Sequence, residues 1–284
     1  MTRLQTQASY AASLDRVVDH IYDHLDEDVS LDRLAQVACL SPYHWHRIYT
    51  AMRGETVAAT VKRLRLLRAA DRLANSDTSV KAIAASAGYE AVESFARAFK
   101  EAYRRSPADY RAHGSHAAYK KAHATRDVLG FPISVEEILA IRCASVAHTG
   151  PYIQIDRAMG RLFERLAEQG LLTEKIPMIG LFLDDPDTTE PAKLRSRACV
   201  PIPQPIDCGT SLEETLLRGG LYARLRYKGP YADMKGAYRW LMGVWLPNSG
   251  HEAADAPIFE AYINNPVETP PNELLTDIHL PLDT

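Results

Sequence analysis

The second half of the chain repeats itself, and this duplication limits the folds available to it more than any other feature. Residues 177–186 align without a gap with residues 257–266. Upstream, Gly150-Pro151-Tyr152 aligns with Gly229-Pro230-Tyr231 at almost the same spacing. We therefore expect two successive copies of one structural unit, because self-similarity at a fixed spacing marks repeated supersecondary structure.

Both copies have the same predicted order of elements. An alternating segment, 138–148 in the first copy and 221–228 in the second, predicts a strand, the Gly-Pro-Tyr triplet turns the chain, and a helical pattern follows. Two further strands close each copy, which gives two βαββ repeats. One repeat is too small to bury both faces of its sheet, so we expect the copies to pack together as one α+β domain with a cleft between them.

The two copies differ at one position that bears on chemistry. Period-two alternation places Ile258, Glu260 and Tyr262 on one face of their strand, and Glu260 stands where the first copy has Gly180. On a solvated face Glu260 is an ordinary surface residue. The apolar and aromatic neighbours, together with Phe182 of the first copy, instead favour a pocket.

The first half of the chain predicts helices only. Apolar residues recur at helical spacing over residues 14–25, Ser30 caps a short helix, and Ser41, followed by proline, caps the next. A longer helix follows Gly54, and Ser79 then begins the pattern of two short helices a second time. Two short helices with a tight joint are typical of a helix-turn-helix motif.

Charge separates the two halves. The net formal charge is −3 for the whole chain, but residues 1–126 carry +5 and residues 127–284 carry −8. Residues 41–126 alone hold 16 basic and 7 acidic side chains. A basic half predicts a polyanionic partner, and an acidic half predicts a neutral or cationic one.

Two series of residues resemble those of a known family. The first is Ser30-Leu31, Leu34-Ala35, Ala38, Leu40-Ser41, His44, Arg47 and Gly54, and the second is Ile83-Ala84, Gly88-Tyr89, Phe95, Arg97-Ala98-Phe99-Lys100, Ser106-Pro107 and Tyr110-Arg111. Over about residues 10–111 the chain resembles the tandem helix-turn-helix domain of AraC-type transcription regulators. The resemblance implies DNA binding through one reading helix in each motif.

Two reading helices on a rigid connecting helix can enter successive major-groove segments on one side of a duplex. The candidate DNA-binding residues are those that the helical cores leave outward, namely Tyr43, His46 and Arg47 on the first reading helix and Glu93, Ser94 and Arg97 on the second. Arginine binds guanine through two hydrogen bonds and glutamate accepts one from cytosine. Phosphate contacts are expected from Lys62, Arg63, Arg104 and Arg105. Taken singly, any of these arginines is equally well explained as part of a solvated helix face.

The duplicated half resembles a second family. The paired Gly-Pro-Tyr turns and the segment Pro257-Ile258-Phe259-Glu260-Ala261-Tyr262 are similar to those of the GyrI-like small-molecule-binding domain, which is frequently fused behind AraC-type DNA-binding domains. The resemblance implies a cleft between the repeats in which Glu260 receives a lipophilic and often cationic ligand. The candidate walls are aromatic, namely Tyr152, Tyr231, Tyr262, Phe182 and Trp240. Each of them taken singly also fits a core role, and Phe182 and Trp240 fit that role better than a wall role.

Composition and motifs exclude several other classes of protein. No segment approaches the roughly 18 to 20 apolar residues of a membrane span, and no signal-type apolar run occurs near Met1, so a cytoplasmic protein without a membrane partner is expected. The four cysteines are scattered and form no zinc-binding or disulfide pattern. His113, His116 and His123 lie in a basic linker and are expected to be solvated rather than metal ligands. No cofactor is expected.

These patterns predict a DNA-binding regulator that is not an enzyme. An all-α tandem helix-turn-helix domain (residues 1–111) and a linker (112–130) precede an α+β domain of two βαββ repeats (131–284) that binds the effector. The expected partners are double-stranded DNA and a small-molecule effector, with RNA polymerase as a further candidate. Two alternatives remain open: hydrolysis of reactive lipophilic molecules by Glu260 with a tyrosine, and binding of a partner protein such as a topoisomerase.

Overall fold

The computed structural model describes residues 3–27, 29–41, 45–114, 130–171, 177–204 and 212–283. Among the residues so described, seven helices form the helical domain (residues 3–114): α1 Arg3–Asp23, α2 Leu31–Ala38, α3 Trp45–Arg53, α4 Val57–Asn75, α5 Val80–Ser86, α6 Val92–Tyr103 and α7 Pro107–His113. None of the described helices is long and apolar enough to cross a bilayer. Most of the linker predicted at 112–130 lies outside the described residues.

Side-chain caps begin four of these helices. The hydroxyl of Ser30 accepts a hydrogen bond from the Arg33 amide at 3.1 Å, and the hydroxyls of Thr56, Ser79 and Ser106 cap α4, α5 and α7 in the same way. Each such cap satisfies one amide that the helix leaves without an internal partner. The polar residue before each apolar pattern therefore sets where the helix starts.

Each helix-turn-helix motif is built around its own aromatic core. Trp45 and Tyr49 of α3 are buried in the first motif, and the Tyr49 hydroxyl lies 2.8 Å from that of Thr60 on α4. In the second motif Phe99 stacks on Tyr103, with ring centroids 4.4 Å apart. Because α4 packs into both cores, it is the connecting helix between the two motifs.

In its described part, the sheet domain (residues 130–283) contains eight antiparallel strands and two main helices. The first repeat is β1 Ile133–Ile138, β2 Ile141–Thr149, α8 Asp156–Glu168, β3 Met178–Phe182 and β4 Arg195–Pro201. The second is β5 Glu213–Leu217, β6 Gly220–Lys228, α9 Lys235–Trp240, β7 Ile258–Tyr262 and β8 Leu275–Pro281. A π-helical turn, Leu241–Trp245, extends α9 into a short last helix, Leu246–Ser249.

The structure adds one strand to each predicted repeat. The strand order is β1-β6-β8-β7-β3-β4-β2-β5, so β1 pairs with the second repeat and β5 with the first. These exchanged strands form the two edges of the sheet. Their short and largely polar sequences give only a weak alternating pattern, which is why the sequence predicted four elements per repeat rather than five.

The two repeats meet at the centre of the sheet, where β3 pairs with β7. In this register Gly180 lies directly opposite Glu260, Met178 opposite Tyr262 and Phe182 opposite Ile258. In the alignment of the two copies, Met178 corresponds to Ile258 and Phe182 to Tyr262, so the cross-strand pairs Met178–Tyr262 and Phe182–Ile258 are exchanged. A pseudo-twofold axis therefore passes between Gly180 and Glu260. Helices α8 and α9 pack on the sheet on either side of this axis.

The two domains contact each other through ion pairs. Arg157 at the start of α8 lies 2.7 Å from Asp19 of α1, and Arg53 of α3 lies 2.7 Å from Glu164 of α8. The Tyr22 hydroxyl also hydrogen-bonds Asp156. The first helix-turn-helix motif thus contacts the sheet domain through Arg53. The second motif does so as well, because Ala232 of the second repeat is buried in its core.

Candidate functional site

Glu260 is a buried carboxylate at the pseudo-twofold axis. Its side chain lies on the face of β7 that carries Ile258 and Tyr262, as the alternation predicted, and it is only 6% exposed. The Tyr238 hydroxyl donates a 2.6 Å hydrogen bond to Glu260 Oε1, and Tyr262 forms a second side-chain hydrogen bond with this carboxyl. The predicted pocket, rather than a solvated face, is what the structure shows around Glu260.

Burial raises the pKa of the Glu260 carboxyl to about 7, because the charged form is poorly solvated there. The two tyrosine hydrogen bonds favour the carboxylate and limit this rise in pKa. Within the described part of the chain, no lysine or arginine forms an ion pair with Glu260. The site therefore holds a carboxyl group close to its midpoint at neutral pH, without a cation of its own.

Gly180 explains why only one repeat carries the acid. A Cβ atom at this position would lie 2.8 Å from the Tyr262 hydroxyl oxygen and 3.0 Å from Cζ of Phe182. Directly opposite residues of antiparallel strands are also close enough for two carboxylates to repel each other. Gly180 in the first repeat thus leaves room for Tyr262, which hydrogen-bonds Glu260 in the second repeat.

Aromatic side chains form much of the wall of this cleft. Tyr231 packs against Tyr262 with centroids 5.5 Å apart, and Tyr152 packs against Phe182 at 4.7 Å. All four line the same cavity as Glu260. The Tyr152 hydroxyl is fixed in place, since it donates to the Asp184 carbonyl at 2.8 Å and accepts from the Asp184 amide at 2.9 Å.

One predicted wall residue is wrong and one wall residue was missed. Trp240 is 1% exposed and packs against Phe131 in the core between α9 and the sheet, away from the cavity. Tyr238, two residues earlier, points to the opposite side of α9 and reaches Glu260. Its position seven residues after Tyr231, about two helical turns, is the signal that would have identified it.

The predicted base-reading residues lie on the exposed faces of α3 and α6. Arg47 on α3 and Glu93, Ser94 and Arg97 on the N-terminal half of α6 are exposed, and His46 is partly exposed. Tyr43 lies outside the described residues. The two sets are on separate helices joined through α4, as the tandem arrangement requires.

The predicted phosphate contacts separate into two groups. Lys62 is exposed and lies 3.5 Å from Glu101, and Arg105 is exposed and hydrogen-bonds the His113 carbonyl. Arg104 ends α6 in a left-handed conformation and borders the cavity near the sheet domain. The prediction for Arg63 is wrong, because its guanidinium is held by Glu55 of its own domain and faces the sheet domain.

The described residues contain no group of three or more histidine, cysteine or acidic side chains arranged to hold a metal ion. His116 and His123, two of the three linker histidines, lie outside the described residues. Cys143 and Cys199 are buried thiols on the face of the sheet opposite the cleft, and the contact with Cys143, together with burial, raises the pKa of Cys199.

Comparison with known proteins identifies both halves of the chain. A family model described as the GyrI-like small molecule binding domain matches residues 131–283, which is more than half of the chain. A model described as a helix-turn-helix domain matches residues 34–113. These matches confirm the expected fold class and both family resemblances.

Individual relatives match mainly over about a third of this chain. The HTH-type transcriptional regulator YbfP of Bacillus subtilis is 32% identical over 102 residues, which are 36% of this chain and 35% of YbfP. The regulatory protein SoxS of Salmonella typhimurium is 26% identical over 103 residues, 36% of this chain and 96% of SoxS. The chain thus spans about a third of the length of the first of these relatives.

A solved structure matches most of the chain at the level of fold. EcmrR, in the cryo-EM structure of its DNA complex, aligns with a TM-score of 0.50 and 13% identity, covering 90% of this chain and 100% of EcmrR. At this identity the likeness concerns the fold alone.

Proposed function

This chain belongs to the GyrI-like small molecule binding domain family, and we propose from this premise that a lipophilic cation bound beside Glu260 controls how the chain binds DNA. The helix-turn-helix domain and the small-molecule-binding domain make it a DNA-binding regulator rather than an enzyme, in line with the regulatory roles of its named relatives.

The observation that carries the proposal is the buried, unpaired Glu260 among aromatic rings. A carboxylate removed from water without a cationic partner is destabilised, so a ligand that brings the positive charge gains more attraction there than in solvent. Tyr231, Tyr262 and Phe182 add apolar area, and an aromatic face attracts a desolvated cation by about 0.5 to 2 kcal/mol. A neutral lipophilic molecule uses the rings but not the acid.

The DNA contacts we propose are those of two major-groove helices. Arg47 on α3 and Arg97 on α6 are exposed, and α4 joins the two motifs, which supports simultaneous contact with two segments of one duplex. Contact with RNA polymerase is a further part of the proposal, and the structure of EcmrR with DNA in an EcmrR-RPo assembly gives it only indirect support.

Isothermal titration calorimetry with tetraphenylphosphonium, a permanent lipophilic cation, tests the ligand class directly. We expect Glu260→Gln to weaken binding by about thirtyfold or more, since removing one partner of a buried charge pair costs roughly 2 to 5 kcal/mol. Glu268→Gln is the matched control, because it makes the same change at an exposed position on the cavity rim. Equal affinity of the Glu260→Gln variant and the unmodified protein would exclude charge recognition by Glu260.

A further inference from the structure

The cavity around Glu260 is not confined to the sheet domain. It has a volume of about 2260 Å³ and extends from the aromatic cleft to α4 of the helical domain. Typical small-molecule pockets measure roughly 300 to 1,000 Å³, so this one is a gap between domains as well as a cleft within one. The residues of α4 that border it are therefore part of its surface.

One face of α4 lies towards the cavity. Arg63, Leu67, Asp71 and Asn75 are spaced four residues apart, and all four border the cavity. Residues at this spacing share one side of a helix. We call these four residues the cavity stripe of α4.

The two ends of the cavity stripe contact different repeats. Arg63 Nη1 lies 3.9 Å from Asp156 Oδ2 in the first repeat. At the other end, Asn75 Nδ2 donates a 3.3 Å hydrogen bond to the Ala232 carbonyl in the second repeat. Helix α4 therefore crosses the cleft from one repeat to the other.

The charges along the stripe match the duplication beneath it. Asp156 begins α8 and Lys235 begins α9, and they occupy equivalent positions relative to the Gly-Pro-Tyr turns of the two repeats. Arg63 faces Asp156, while Lys235 is close enough to Asp71 to oppose the rise in its pKa that burial causes. Along the stripe, Arg63 therefore faces an acid of the first repeat, and Asp71 faces a base of the second repeat that also pairs with Asp187.

Leu67 is at the midpoint between Arg63 and Asp71 on α4. Because Asp156 and Lys235, which these two residues face, are related by the pseudo-twofold axis, Leu67 is expected over that axis. The Gly180–Glu260 pair lies on the same axis in the sheet. Leu67 is partly exposed and is not among the residues that pack the two helix-turn-helix cores. It is also the only apolar member of the cavity stripe.

We propose that the helical domain completes the ligand site, with Leu67 contacting the bound cation from the side opposite Glu260. This inference rests on the proposed function, since it concerns the same ligand. It makes α4 both a wall of the ligand site and the connection between the two reading helices. A ligand seated there acts directly on the element that fixes their relative orientation.

The test uses the full chain, tetraphenylphosphonium and calorimetry. We expect Leu67→Ala to weaken binding by about tenfold, because it removes an apolar contact from the pocket. Leu67→Arg should weaken binding further, because it sets a like charge against the cation. The control is Leu31→Ala, which removes the same atoms from a leucine on α2 that is 52% exposed and does not border the cavity. Circular dichroism and thermal unfolding establish that each variant is folded.

The outcomes separate this inference from the function on which it rests. Unchanged affinity in a folded Leu67→Arg variant, together with lost affinity in Glu260→Gln, overturns the role of Leu67 and leaves the proposed function standing. Retained affinity in Glu260→Gln, or no binding of the cation by the unmodified protein, overturns the proposed function and with it the composite site. Losses at both Leu67 and Glu260, with Leu31→Ala unaffected, support both.

Discussion

Protonation of Glu260 competes with cation binding. Its carboxyl has a pKa of about 7, raised by burial, whereas the ordinary value is 4.5. A permanent cation favours the carboxylate, so we expect its affinity to rise as the pH increases through about 7 and to level off above pH 8. Titrations of tetraphenylphosphonium from pH 5.5 to 8.5 measure this, with Glu260→Gln as the pH-independent control. A flat profile in the unmodified protein would show that Glu260 does not titrate at the site.

The same raised pKa makes Glu260 a pH-dependent source of instability. The folded protein holds this proton more tightly than the unfolded chain, so stability attributable to Glu260 falls as pH rises from about 4.5 towards 7. We expect the effect of Glu260→Gln on the free energy of unfolding to be more stabilising at pH 8 than at pH 4, by about 3 kcal/mol. Chemical denaturation of both proteins at the two pH values measures the difference. A stability change in Glu260→Gln that is the same at pH 4 and pH 8 would contradict this.

Gly180 sets the geometry of the acid from the neighbouring strand. An alanine there places Cβ against the Tyr262 hydroxyl, which then moves away from Glu260. Since that hydrogen bond lowers the pKa of Glu260, we expect Gly180→Ala to shift the pH midpoint of cation binding upwards. In the double variant with Glu260→Gln the shift should vanish. A midpoint unchanged in Gly180→Ala would mean that Tyr262 does not tune the acid.

Helix α6 is expected to read bases through Arg97, whereas Lys62 on α4 is expected to contact phosphate. Arg97 is exposed on the N-terminal half of α6, where base edges are reached in helix-turn-helix proteins. We expect Arg97→Ala to weaken binding to a duplex selected from a random pool by about 1 to 3 kcal/mol more than binding to non-specific DNA. Lys62→Ala on α4, a predicted phosphate contact, should weaken both by similar factors. Fluorescence anisotropy at fixed salt measures the four affinities, and equal loss on both duplexes in Arg97→Ala would remove it from the base-reading set.

Which elements could be predicted depended on how strongly their sequences repeat. The duplication revealed the central strands, the faces of their residues and the equivalence of Glu260 and Gly180, because a period of two and a fixed offset are both visible in the residues. That these two residues pair across β3 and β7 came only from the structure. The edge strands β1 and β5 carried too little alternation to be seen. Trp240 and Tyr238 are both large aromatic residues on α9, so residue type does not distinguish core from cavity. The seven-residue spacing from Tyr231 to Tyr238 does, because it places these two tyrosines on the same side of the chain.

Contacts between domains were beyond the reach of the sequence. Arg63 has the charge of a phosphate contact, and only the packing of α4 against the sheet domain turns it towards Asp156. The acidic residues of α1 have a similar role, since Asp19 pairs with both Arg157 and Arg161 of α8. Such pairs depend on how two independently patterned halves meet, which no local pattern encodes.

For the whole molecule, ligand and DNA must influence each other equally. If the cation changes DNA affinity by some factor, DNA changes cation affinity by the same factor, since the coupling is one free energy. We expect the two factors to agree and to move towards one in an Arg157→Ala, Arg161→Ala variant, which removes the ion pairs between α1 and α8. Calorimetry with and without saturating DNA gives one factor and anisotropy with and without cation gives the other. A factor of one in the unmodified protein would show that the domains are uncoupled.

The central claim is that a lipophilic cation sits beside Glu260, between the sheet and α4. A crystal structure of the full chain with tetraphenylarsonium tests it most directly, because the arsenic atom can be located by its anomalous scattering. We expect one strong arsenic peak in the cavity, among Tyr231, Tyr238 and Tyr262 and facing Leu67. An arsenic peak only on the outer surface, with the space beside Glu260 filled by water, would contradict the claim.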